Sequence, residues 1–196
     1  MTGIFLPGRS CSIKHGIAGM RSAGHLLCRK NMVRSKSRAA KNIADLLFLR
    51  MIYRLATTAD IPEIMRVRFA VKENTLSRPG LVTDADCDEY INHRGKGWVC
   101  DVGNKIAGFA IADLQDHNIW ALFVEPGFDG LGIGKRLHND MLDWYFSQTN
   151  HTVWLSTSPG TKAEQFYRKA GWMQTGFTGS GEIRFEMTAA KWKGLP

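Results

Sequence analysis

Trp120-Ala-Leu-Phe-Val-Glu-Pro-Gly-Phe-Asp-Gly-Leu-Gly-Ile-Gly-Lys-Arg-Leu137 is the stretch on which the fold turns. An apolar run stops at Pro126, and Gly130, Gly132 and Gly134 follow at alternate positions. Ile133, Leu137, Met141 and Tyr145 then recur every fourth residue. The pattern predicts a strand, a turn of bare backbone and an amphipathic helix. Glycine removes the side chains that keep a ligand off the main chain, and the first N–H groups of a helix have no intrahelical acceptor. With the positive end of the helix dipole, such a turn suits a phosphate. Lys135 and Arg136 put cations where helices prefer acids, which an anion explains better than helix stability does.

Two common phosphate loops do not fit. A P-loop requires a glycine where Asp129 stands and a hydroxyl where Arg136 stands. A dinucleotide fingerprint starting at Gly130 requires a glycine where Lys135 stands. The turn instead resembles the acetyl-CoA loop of the GCN5-related N-acetyltransferases, Val-x-Pro-x-Tyr/Phe-Arg/Gln-Gly-x-Gly-Ile/Val-Gly/Ala-x-x-Leu. Val124, Pro126, Phe128, Gly130, Gly132, Ile133, Gly134 and Leu137 fit; Asp129 replaces the Arg or Gln. Gly160-Thr-Lys-Ala-Glu-Gln-Phe-Tyr-Arg-Lys-Ala-Gly-Trp172 resembles that family's second motif, with Ala163, Phe166, Tyr167, Gly171 and Trp172 on pattern and Gly160 in place of Asn.

Charge is uneven along the chain. Residues 1–50 hold ten of the 26 Lys/Arg and one of the 18 acids, so the net charge of +8 belongs to that segment and the remainder is near neutral. No basic face follows for the folded part, and nucleic acid is not expected as a partner. The 1–50 segment reads as a basic extension, disordered or loosely helical near Lys41–Leu49: either an organelle transit peptide or the product of an over-early start before Met51. Cys11, Cys28, Cys87 and Cys100 show no Cys-x-x-Cys spacing and read as free thiols in a reducing compartment, with no metal site. No apolar run approaches the roughly 20 residues of a membrane span, and the expected location is cytoplasmic, or an organelle if the extension is a transit peptide.

From Met51 the order is strand, two helices, three strands, helix, strand, helix, two strands. Thr57 with Asp60 resembles a helix-start box, Ile61, Ile64, Met65, Arg68 and Phe69 mark one helical side, and Thr83 begins the second helix. Gly103-Asn104 is a hairpin turn, and Gly171 closes the last helix. This predicts an α/β (α+β) domain over residues 51–190 followed by a tail at 191–196. The resemblance implies the acyl-CoA N-acyltransferase fold, a mixed sheet of six to seven strands flanked by about four helices.

The resemblance also implies roles. Leu122, Phe123 and Val124 would hold pantetheine and the thioester. Gly130, Leu131, Gly132, Ile133, Gly134 and Lys135 would hold pyrophosphate, with Gly160 and Phe166 completing the coenzyme site. Tyr167 would protonate or hydrogen-bond the sulfur. Asp129 weakens the coenzyme unless it turns to solvent or pairs with Lys135. The positions where relatives carry a basic Glu are Asn118 and Leu155 here. His117 is therefore the candidate to relay a proton through water, with Glu73, Asp116 and bulk water as the alternatives.

Specificity should lie in Glu73, Asn74, Thr75, Ser77 and Arg78, with Trp154, Trp172 and Phe177 as candidate aromatic walls. The implied activity is acetyl transfer from acetyl-CoA to a primary amine of a small or amino-acid-like molecule. Protein N-termini or lysines as acceptors, and a non-catalytic acyl-CoA-binding module, are the alternatives. Assembly as a homodimer is left open.

Overall fold

The computed structural model describes residues 51–71 and 82–194. The basic extension, the helix near Lys41–Leu49 and the polar segment from Glu73 to Arg78 lie outside them. Strands β1 (Met51–Leu55), β2 (Gly95–Val102), β3 (Ile106–Asp113), β4 (Asn118–Val124), β5 (Val153–Thr157), β6 (Met173–Phe177) and β7 (Ile183–Met187) form one seven-stranded sheet in the order β1-β2-β3-β4-β5-β7-β6. Only β4 and β5 run parallel, joined through a helical crossover as parallel neighbours require. The mixed sheet of the sequence reading is present.

Helices α1 (Ile61–Ala70) and α2 (Asp84–Glu89) pack one face of the sheet around Ile64, Val67, Val99, Phe109 and Phe123. Helices α3 (Ile133–Gln148), α4 (Lys162–Lys169) and α5 (Ala189–Lys193) cover the other, where Leu137, Met141, Tyr145 and Phe185 are fully enclosed. The fourfold spacing of Ile133, Leu137, Met141 and Tyr145 thus marks the buried stripe of α3.

Local signals explain most boundaries. Thr57 and Thr83 each open a helical segment through a box closed by Asp60 and Asp86. Gly103 and Asn104 both take positive φ, 63° and 67°, the left-handed pair that a two-residue hairpin requires. Beyond α2 the chain continues as a π-helical turn, Tyr90–Arg94.

Two readings are corrected. Phe69 leaves the inner side of α1 and is 61% exposed, while Val67 is buried in its stead. The boundary at 190 falls inside α5, a helix capped by Thr188 whose Trp192 packs on the core and donates to Asp143 at 2.9 Å. Residues 191–194 therefore belong to the domain.

The Asp60 carboxylate accepts hydrogen bonds from both terminal nitrogens of Arg54 and from the N–H and hydroxyl of Thr57. Arg54 first, then Thr57, holds its pKa down at about 2 against an ordinary 3.8, although burial pushes the other way. The unfolded chain takes up this proton first, so the contribution is complete above about pH 4 and is lost as pH falls toward 2. Urea midpoints measured across that window should fall more steeply for the wild type than for Asp60→Asn.

Candidate active site

The cleft begins where the sheet opens. β4 and β5 share one register pair, Asn118 with Trp154, and diverge beyond it. On its other side β4 carries a bulge: Ile111 faces Ala121 and Ala112 faces Ile119, which leaves Trp120 unpaired with β3. A bulge bends and twists its strand, and here it accompanies the separation of β4 from β5. The divergence leaves main-chain groups of Leu122 to Val124 without a strand partner on the β5 side.

A cleft of about 720 Å³ occupies the gap, lined by Leu122, Phe123 and Val124 on one wall and by Ala163, Phe166 and Tyr167 on the other. Phe128, Gly130, Gly132, Gly134 and Lys135 close one end, and Ala70 and Val71 from the end of α1 also border it. A larger groove of about 1050 Å³ runs between α3, α4 and α5 and shares only Lys135 and Phe166 with the cleft. It contains none of the turn's glycines, so the smaller cleft is the candidate site.

The glycine turn is built as its sequence suggests. Gly132 is the N-cap of α3 with φ +81°, and no side chain caps the helix. The first intrahelical bond is Arg136 N–H to Gly132 C=O, so the N–H groups of Ile133, Gly134 and Lys135 precede the ladder. A Cβ on Gly130 or Gly132 would meet nothing within 4 Å, which makes backbone conformation, φ +76° and +81°, the reason for glycine there. An open, uncapped and cation-flanked helix start fits a pyrophosphate.

Tyr167 is 7% exposed and held by Phe166, Trp172 and Phe185, with ring centroids 5.3, 5.6 and 6.2 Å away. Burial raises its pKa, and no hydrogen bond contributes to the shift. Its side chain borders the cleft as a neutral phenol with no protein partner among the described residues.

Asp129 pairs with Lys162 across the mouth at 3.6 Å, with both side chains exposed. The partner is thus the first residue of α4 in place of Lys135. Asp129 is the one carboxylate among the described residues lining the cleft. Thr157, Thr161 and Lys162, also on the lining, were not picked out from the sequence. The threonines carry no motif, and Lys162 reaches Asp129 only through the fold.

Other predicted residues are not brought together. Leu131 packs against the core, and the Gly160 N–H donates to Glu164 at 2.7 Å; neither lines the cleft. His117 sits before the first residue of β4, bonded to the Tyr145 hydroxyl at 3.0 Å and stacked on His151 at 4.3 Å. At about 3.3 Å per strand residue it is roughly 16 Å from Leu122, out of reach of direct proton transfer. Asp116 is ion-paired with Arg94.

Neither do the candidate aromatic walls reach the cleft. Trp172 is buried and donates to His138 at 2.9 Å, Trp154 donates to the Asp116 carbonyl at 3.0 Å, and Phe177 is 66% exposed. Among the described residues no group of His, Cys, Asp and Glu could hold a metal ion, and no helix is long and apolar enough to cross a membrane.

Solved structures share this architecture. An acetyltransferase of the GNAT family from Staphylococcus aureus Mu50 is 17% identical with a TM-score of 0.61, covering 71% of this chain and 99% of its own. The PaiA N-acetyltransferase from Thermoplasma acidophilum, solved in complex with coenzyme A, is 14% identical with a TM-score of 0.58, covering 70% of this chain and 98% of its own. The ribosomal-protein-S18-alanine N-acetyltransferase from Escherichia coli is 18% identical with a TM-score of 0.55, covering 70% and 91%. At such identities the likeness speaks for the fold. Among curated protein sequences there is no match. The Acetyltransferase (GNAT) family matches residues 61–172, more than half of the chain and the whole of the cleft just described, and the protein belongs to that family.

Proposed function

We propose that the protein transfers the acetyl group of acetyl-CoA to the primary amine of a small, amino-acid-like acceptor. The observation that carries this reading is an uncommitted phenol and an open glycine turn bordering one cleft. The N–H groups of Ile133, Gly134 and Lys135 would bind the pyrophosphate, and the free edge of Leu122 to Val124 would hold pantetheine and orient the thioester. The attacking amine forms the C–N bond as the C–S bond breaks. Tyr167 gives its proton to the departing sulfur, the product nitrogen releases one proton to water, and Tyr167 recovers a proton from water before the next turnover. Burial keeps the phenol protonated across the working pH range, so its O–H faces the sulfur as a donor and passes its proton only as charge builds there.

Among the described residues lining the cleft the one carboxylate is Asp129, which Lys162 holds at the mouth. With water as the acceptor of that proton, turnover should rise with pH as the substrate amine is deprotonated. The test is thiol release from acetyl-CoA on addition of primary amines, with mass spectrometry of the amine. An added 42 Da on the amine with matching thiol supports the reading; thiol release with the amine unchanged, or none at all, contradicts it.

Asp129 is the residue by which the turn departs from its family pattern. Replacing it with Asn removes a negative charge beside the phosphate site. In an exposed setting this is worth about 1 kcal/mol, so the Kd for acetyl-CoA should fall about fivefold by calorimetry.

A further inference from the structure

The described residues that are polar yet buried are Asp60, Asp113, His138 and Thr157, and the first three have partners. Asp60 is held by Arg54 and Thr57, Asp113 by Arg94 and the Gln115 N–H, and His138 by Trp172 and Asn139. Thr157, 3% exposed, is different. Among the described residues its hydroxyl meets only that of Thr161, at 3.5 Å, well beyond the roughly 2.5–3.0 Å of a hydroxyl hydrogen bond. Thr161 is already engaged: it donates to the Ser158 carbonyl at 2.8 Å and caps α4 by accepting from the Glu164 N–H at 3.2 Å. A buried hydroxyl left without a close partner has given up water for nothing in return, and it requires an explanation.

Its place in the cleft supplies one. Thr157 is the last residue of β5 and lines the cleft. β4 and β5 meet at Asn118 and Trp154; Thr157 lies three residues beyond Trp154, and β4, with Trp120 bulged out, reaches the same level at Leu122. The two residues also share a face of the sheet. Thr157 pairs with Ile183 and alternates with Val153 and Leu155, and those three belong with Leu122 to the core under α3 and α4. Tyr167 borders the cleft from that side, packed on Phe185, the β7 neighbour of Leu155. The glycine turn lies at the other end of the Leu122 to Val124 wall, past Pro126 and Phe128. Thr157 therefore stands across the gap from Leu122, at the end of the cleft opposite to the pyrophosphate and on the side that carries the phenol.

We propose that Thr157 donates its hydroxyl hydrogen bond to the acetyl carbonyl oxygen of the bound thioester, acting on the oxygen while Tyr167 acts on the sulfur. That oxygen gains negative charge as the amine attacks the carbonyl carbon, and a donor already in place in a site closed to water stabilises the charge without rearranging. The hydroxyl keeps its proton throughout: the hydrogen bond strengthens as charge builds and relaxes as the C–S bond breaks. The inference rests on the acetyl-transfer reading above and extends it to the carbonyl oxygen.

Thr157→Val keeps the branched shape and removes the hydroxyl, and Thr157→Ser restores it. Infrared spectra of acetyl-CoA labelled with carbon-13 at the acetyl carbonyl, bound to each protein, read the hydrogen bond directly. The carbonyl band should lie at lower frequency in the wild type and Thr157→Ser than in Thr157→Val. With the amine that the thiol-release assay identifies, Thr157→Val should lower kcat about tenfold, while the Kd for CoA, which lacks the acetyl group, stays within twofold. A band at the same frequency in all three proteins, or an unchanged kcat, would overturn the proposal. So would a tenfold rise in the Kd for CoA, which would assign the hydroxyl to the pantetheine arm. A Thr157→Val protein that unfolds well below the wild type without ligand would do the same, because the hydroxyl would then be engaged within the protein. These results leave the donor site standing. If acetyl-CoA fails to raise the unfolding temperature of the wild type, the acetyl-transfer reading falls and this inference with it.

Discussion

Tyr167→Phe should lower kcat about a hundredfold, the usual contribution of a positioned acid, with the Kd for acetyl-CoA unchanged. The reason lies in what the hydroxyl does not do. Burial is the only influence on its pKa, and its removal breaks no hydrogen bond among the described residues. The ring keeps its contacts with Phe166, Trp172 and Phe185. The unfolding temperature should therefore stay within a degree or two, which separates lost chemistry from lost structure. Stopped-flow thiol release and thermal unfolding of the same preparations check both halves. A variant that turns over normally would return Tyr167 to the rank of a core residue.

Gly132→Ala should weaken acetyl-CoA binding at least tenfold and also reduce stability. The two effects share one cause. At φ +81° an L side chain is strained by about 1–2 kcal/mol, and no neighbour within 4 Å of the new methyl hinders or supports it. The chain relieves the strain by moving the N-cap, and the N–H groups of Ile133, Gly134 and Lys135 move with it. Calorimetry should register the lost affinity, and urea unfolding the smaller loss of stability. Retained affinity would mean that the turn's main chain does not hold the donor.

The sequence conveys the site unevenly, and the differences have physical causes. The glycine turn and α3 are legible because both rest on local rules: left-handed backbone requires glycine, and the fourfold spacing of Ile133 to Tyr145 predicts the face that is buried. Tyr167 is legible as part of a helical motif. The surroundings of His117 are not, because its bond to Tyr145 and its stack on His151 join residues distant in the chain. The Lys162–Asp129 pair is invisible for a related reason: it joins the glycine turn to the first residue of α4, with α3 and β5 between them in the chain. Thr157 reads as one more strand residue, and only packing exposes its hydroxyl's lack of a close partner. The short α5 escapes notice because five residues after a strand carry little periodicity, although Thr188 offers a cap.

The central claim is that the cleft between β4 and β5 is an acyl-CoA site, and thermal unfolding with and without acetyl-CoA tests it most directly. A ligand that binds only the folded state adds RT ln(1 + [L]/Kd), about 2.7 kcal/mol at a hundredfold excess over Kd. For a domain of this size that corresponds to a rise of roughly 5–10 °C in unfolding temperature. The account predicts that rise for the wild type and a distinctly smaller one for Gly132→Ala at the same concentration. No rise for the wild type at millimolar acetyl-CoA, or an equal rise in both proteins, would contradict it.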